Sequence, residues 1–263
     1  MRVLSIGQLV FALSLIGVGV LCFITRDFTS VWQGAPKSLP SREILAYACG
    51  FVSLAGGMGL IVKPTAAWAS RMVFGSTLLW MLAFKAPLIF QTPLEEGVYQ
   101  SNGENAVYVA AAWVLYTWLA GPWEKERLGF IAGELGLRLA RCLYGLALIA
   151  FGLSHFVYLN LTVPLVPAYL PWRLGWAYFT GAAYLAAGLA ILTGVSARLA
   201  AALAAAQMGG FLLLIWLPTV VSGHADRFRF GEFVATCVLT AGAWVISDSY
   251  RGAPWLIAKR GET

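Results

Sequence analysis

Apolar runs close to the length of a bilayer crossing recur along this chain, and nothing constrains its fold more. Short polar stretches separate them. The chain is 60% hydrophobic and only 11% charged, where a soluble domain carries about a quarter charged residues. A large core does not account for that deficit. Backbone groups in lipid must be satisfied within the segment, so the runs are helices rather than open sheet. A barrel would need alternating segments of about ten residues, and none occurs. The expected fold class is all-α integral membrane.

Eight transmembrane helices are expected, near 4–24, 44–62, 67–84, 105–120, 137–157, 173–193, 197–217 and 231–246. The first run has one preceding arginine and could pass for a signal peptide. It lacks a small-residue cleavage pattern and matches a later segment, so it is kept as a helix. Lys63-Pro64, Pro87, Gly121-Pro122 and Pro218 punctuate the ends. Residues 91–104 read as an acidic loop and 122–136 as a charged connector.

The halves repeat. Residues 40–87 align without gaps onto 171–218 at an offset of 131, with 12 of 48 positions identical. Pro40/Pro171, Arg42/Arg173, Tyr47/Tyr178, Gly50/Gly181, Gly57/Gly188 and Pro87/Pro218 are among them. Gly17 matches Gly152 at offset 135, which makes Val20 the counterpart of His155. Gly103-Glu104 matches Gly231-Glu232 at offset 128. An even number of helices per unit gives a parallel repeat. The expected organisation is a first four-helix repeat over 1–121, a cytoplasmic connector over 122–136, a second repeat over 137–250 and a polar tail over 251–263. Lys and Arg are denser at the N-terminus, the connectors on that side and the tail, so both termini are expected in the cytoplasm, with a bacterial inner membrane as the location.

The net charge of +6 does not form a basic patch on a soluble face, so no nucleic-acid partner is expected; the lipid bilayer is the partner that composition requires. Cys22, Cys49, Cys142 and Cys237 lie in apolar runs without CxxC spacing and read as buried thiols. Two histidines give no metal or haem spacing, so no metal is expected. Nucleophile motifs, phosphate-binding glycine loops and HExxH are absent.

A glycine-bearing helix ending in a histidine (Gly152, His155), P-x-x-L-P at 167–171, the aromatic start 172–179, Thr180-Gly181 and G-x-x-x-R-x-A at 194–200 carry a resemblance to the DoxX-like family of small four-helix membrane proteins. It covers about 145–247. The first half lacks the histidine and the intact P-x-x-L-P. The resemblance implies a helical bundle and an association with membrane redox-enzyme subunits, possible quinone-linked chemistry among them. Many members of the family have no assigned activity.

Several residues are candidates for chemistry. Lys85 near a helix end reads as a snorkelling lysine, or as a functional charge at membrane depth. Glu104 and Glu232 read as carboxylates at helix starts, where the dipole favours them. Arg42 and Arg173 open helices, where the same dipole disfavours a cation. Structural charge pairs Arg42–Glu104 and Arg173–Glu232 would offset that cost. His155 is either a titrating group or a core histidine bonded to a carbonyl. His224, beside Asp226, reads as solvated. Trp172, Trp176, Tyr178 and Phe179 are either a ring-binding cleft or an interfacial belt. Glycines seven apart on the second and sixth helices read as close-packing seams. The sharpest expectation is a ligand-binding site at the outer mouth of the second repeat, built from His155, Trp172, Arg173, Trp176, Tyr178 and Glu232. Three functions compete: an accessory subunit of a membrane redox system holding a lipophilic molecule such as a quinone, a small-molecule transporter, and an assembly protein without chemistry.

Overall fold

The computed structural model describes residues 5–223 and 226–256. The long helices are α1 (Ile6–Thr25), α2 (Arg42–Ile61), α3 (Ala66–Gln91), α4 (Glu96–Leu119), α5 (Glu134–Val157), α6 (Arg173–Thr193), α7 (Ala197–Val221) and α8 (Arg227–Ser249). No strand occurs among the described residues. Seven of these helices are long and apolar enough to cross a membrane.

The helix outside that set is α4. Its first half carries Glu96, Asn102, Glu104 and Asn105 in place of the expected acidic loop. It packs against α3, α5 and α8, and Asn102 and Asn105 are buried. A helix wrapped by protein does not need an apolar exterior, so its polar residues turn inward. That burial explains why hydropathy under-reads it and why the expected start at 105 falls short of Glu96.

In each half the first three helices pack in sequence: α1 on α2 on α3, and α5 on α6 on α7. The fourth helix packs on the third of its own half, and then on the first helix of the other half. Thus α4 lies against α5, α8 lies against α1, and α4 and α8 also meet. The two sets of four helices thus interlock through their fourth helices.

The glycine seams are present. A Cβ on Gly50 would lie 2.9 Å from Cys22 Cβ and 3.3 Å from Gly19 O. On Gly181 it would lie 2.8 Å from His155 Cβ and 3.2 Å from Gly152 O. Gly19 therefore holds the place of Gly152, and Cys22 the place of His155. The expected matches, Gly17 and Val20, are two residues out; Gly17 has nothing within 4 Å. The Glu104/Glu232 match also shifts, because Glu104 sits in the third turn of α4 and Glu232 in the second turn of α8. Neither residue starts a helix, so neither is placed to complement a helix dipole.

Helices α3 and α7 do not stop at their prolines. Each widens into a π-helical segment, Met81–Lys85 and Leu212–Trp216, and continues past Pro87 or Pro218. Proline removes one N–H and crowds the carbonyl four residues back, and a π turn accommodates both effects.

On the face where α3 begins and α4 ends, the connector is tied down. Arg71 holds Glu124 through two contacts of 2.8 and 2.6 Å, and Glu124 also accepts from the Gly121 N–H at 2.9 Å. The Arg71 guanidinium pulls the Glu124 carboxyl down to about 2, below the usual carboxylate range. A depressed folded-state value contributes stability above the unfolded range, near 4.3, that is lost as pH falls toward the folded value. Glu124→Gln should cost about 1.5–3 kcal/mol near neutral pH. Melting curves of the variant and the parent should converge as pH falls from about 5 toward 2.

Candidate functional site

The two mouths at the starts of α2 and α6 differ. In the first half, residues 26–41 fold down into the bundle. Phe28, Val31 and Trp32 are buried there. Trp32 donates to Ser53 Oγ at 2.7 Å, Trp80 donates to Gln33 O at 3.1 Å, and Asn105 donates to Val31 O at 3.2 Å. The indoles of Trp32 and Trp80 meet edge to face at 5.3 Å. This loop is a plug. Arg42 secures it: its guanidinium bridges Asp27 at 2.9 Å, donates to Ala35 O and Pro36 O, both at 3.0 Å, and lies 4.7 Å from the Phe28 ring centre. The partner of Arg42 is thus Asp27, in its own loop, and not the expected Glu104.

In the second half the connection is stiffer. A short helix, Leu159–Leu165, contains Pro164, and residues 166–172 follow with Pro167 and Pro171. Trp172, just before α6, has φ 54°, as does Ser41 just before α2. A bulky residue in the left-handed region is uncommon and costs about 1–2 kcal/mol. The Trp172 ring folds over Gly175, where a side chain would collide with it. The short helix packs on α5 and α6, and a cleft of about 500 Å³ is lined by Pro164–Tyr169, Arg173, Leu214–Trp216, Pro218, Thr219, Ser222 and Arg229. The π segment of α7 forms one wall, facing the proline segment. Aliphatic and proline side chains dominate the lining, with Arg173 and Arg229 as its cations.

Arg173 is exposed, and no hydrogen bond or ion pair of its side chain is found among the described residues. It sits at the N-terminus of α6, where the helix dipole disfavours a cation. Its counterpart Arg42 is held by its own loop, through Asp27, Ala35 O and Pro36 O.

The structure separates the other expected members of this site. Arg173 and Glu232 form no salt bridge. His155 does not line the cleft: its Nδ1 is 2.8 Å from Phe151 O, and its ring packs on Tyr184 at 5.5 Å and Phe211 at 6.0 Å. That is the core histidine of the two readings. Trp176 meets Phe179 edge to face at 5.9 Å, Tyr178 packs on Phe156 at 5.8 Å, and all three α6 aromatics are exposed outside the cleft lining. Trp172, 81% exposed, roofs Gly175 rather than the cleft. His224 lies outside the described residues. Among those residues no group of three or more His, Cys, Asp or Glu could hold a metal.

Sequence reading missed the cleft's other wall. Trp216, Pro218 and Thr219 carry no motif, and only the proline marked a break. It also missed that Lys85, 2% exposed, turns inward and donates to Ser101 Oγ at 2.6 Å instead of snorkelling.

A family model described as a domain of unknown function, DUF8561, matches residues 144–227. The match runs from the middle of α5 through the proline segment, α6 and α7, so it contains nearly all of the cleft. No curated protein and no solved structure matches the chain.

Proposed function

We propose that this chain is an integral membrane protein of eight spans, made of two related halves, that holds a lipophilic small molecule in the outer cleft of its second half. The recurrence of π segments six residues before Pro87 and Pro218, the paired glycine seams and the left-handed residues Ser41 and Trp172 support a duplicated ancestry. The observation that carries the ligand reading is the contrast between Arg42 and Arg173. One holds a plug in place; the other, with no ion pair among the described residues, stands beside a mostly apolar cleft. An apolar ligand body with an oxygen-bearing head fits that arrangement, with the head accepting from the guanidinium. The resemblance to DoxX-like proteins makes a quinone the first ligand to try, and makes an accessory role beside membrane redox-enzyme subunits the working context. Equilibrium binding of a short-chain quinone to detergent-purified protein tests this. The parent protein should bind it, and Thr219→Trp, which fills the cleft, should abolish binding while leaving the melting temperature unchanged.

Orientation belongs to the same proposal. With both termini in the cytoplasm, a thiol introduced at Gly223 should be labelled by a membrane-impermeant reagent in intact cells, and one at Gly129 should not. The reverse pattern overturns the orientation.

A further inference from the structure

Away from the cleft, where α3, α4 and α8 approach one another, the bundle gathers a set of ionisable side chains that the proposed function does not use. Lys85 lies in the π segment of α3, 2% exposed. Its ammonium has three protons to donate, and the acceptor found for it is Ser101 Oγ at 2.6 Å. Glu104 is one turn beyond Ser101 on the same face of α4, and Tyr108 is one turn further. Glu104 lies within electrostatic range of Lys85 and of Glu232 on α8, yet it forms no salt bridge with Lys85. Tyr108, 1% exposed, is within range of both carboxylates, and its hydroxyl has no hydrogen-bond partner. Asn102 and Asn105, buried in the same turns, spend their amide protons on Lys85 O and Val98 O, and on Val31 O, respectively. Their side-chain carbonyl oxygens are left without a partner. The charged groups found acting on Lys85 and Glu104 among the described residues are each other and Glu232; α5 presents Ala147 and Phe151 to Gly103, and the plug presents Gly34 to the Lys85 side chain.

Charge balance decides what such a set holds. Two carboxylates and one ammonium, all ionised, leave one uncompensated negative charge inside a bundle that lipid surrounds. An uncompensated charge there costs several kcal/mol, whereas a neutral set does not. One bound proton supplies the neutrality. A metal cation would do so only against the adjacent ammonium. The unpartnered Tyr108 hydroxyl, which can both donate and accept, is a buried polar group within electrostatic range of both carboxyls.

We propose that Glu104, Glu232 and Lys85, with Tyr108, form a proton-binding site within the membrane that holds one proton shared between the two carboxyl groups. Glu232 and Glu104 are partly exposed, and Glu232 is near the outer end of its helix, so exchange occurs from the outer face. The step is transfer of H⁺ between water and a carboxylate oxygen; no bond other than O–H forms or breaks, and nothing is oxidised. This site stands independently of the cleft.

Infrared spectroscopy of the purified protein at neutral pH, in H₂O and in D₂O, reads the site through the C=O stretch of a protonated carboxylic acid. The parent should show that band. Glu104→Gln and Glu232→Gln should each remove the shared proton's contribution, because one carboxylate then balances Lys85. Lys85→Met should raise the contribution about twofold, because two carboxylates then need two protons. Lys85→Gln is the substitute if the methionine variant does not fold. A parent spectrum without the band overturns the proposal even if no variant folds. So does a band unchanged in both glutamine variants, or one unchanged when the lysine charge is removed.

Discussion

Gly188→Leu should lower the melting temperature by on the order of 10 °C, corresponding to about 3 kcal/mol for a chain of this size. A Cβ at Gly188 would lie 2.7 Å from Gly145 O and 2.9 Å from Ile149 Cδ1. The first obstacle is backbone, which cannot rotate away, so α5 and α6 must separate. In lipid their association rests on close packing, with no hydrophobic drive to draw them back together. Gly57→Leu should behave alike, since a Cβ there would lie 2.5 Å from Ala12 O. Gly210→Leu is the control. It meets nothing within 4 Å and should stay within about 0.5 kcal/mol of the parent. Thermal unfolding in one detergent checks all three. Equal melting of Gly188→Leu and Gly210→Leu would remove the seam from the account.

The second large effect concerns binding. Arg173→Gln should weaken quinone binding by roughly 10- to 100-fold, the loss of one charge-assisted hydrogen bond of about 1.5–3 kcal/mol. It should leave melting unchanged, because no hydrogen bond or ion pair of the guanidinium is found among the described residues. Arg42→Gln should do the opposite. It removes the bridge to Asp27 and two carbonyl contacts, costing about 1–2 kcal/mol of stability, and leaves affinity alone. Paired binding and melting curves for the two variants read this double dissociation. Loss of stability in Arg173→Gln with affinity retained would return that arginine to a structural role.

Much of the fold was legible in the residues because bilayer thickness and glycine spacing are one-dimensional signals. Seven of the apolar helices fall where periodicity put them. The helix read worst, α4, is the one that neighbours shield, since hydropathy records what faces lipid and not what faces protein. Gaps in the loops misplaced the register of α1 against α5 by two residues, which hid Cys22 as the counterpart of His155. The candidate site was legible only in outline. The sequence pointed to the mouth before α6 in the second half and to Arg173. The further grouping of His155 and Glu232 with Arg173 assumed that helix ends at equal depth converge. In the structure His155 turns into the aromatic core, and Glu232 forms no salt bridge with Arg173. Lys85 misled in the same way, because a lysine near a helix end reads alike whether it snorkels outward or bonds inward to Ser101.

Photo-crosslinking with a quinone bearing a reactive tail, mapped by peptide mass spectrometry on the purified chain, tests the proposed ligand site most directly. The cleft predicts adducts on the proline segment 164–169 and on the facing wall 214–219, both suppressed by Thr219→Trp. A second, more apolar groove of about 490 Å³ lies between α7 and α8, lined by Ala202, Gly209, Leu213, Thr240 and Trp244 among others. Adducts concentrated there, or on the plugged mouth of the first half at residues 26–41, would contradict the assignment of the outer cleft as the binding site.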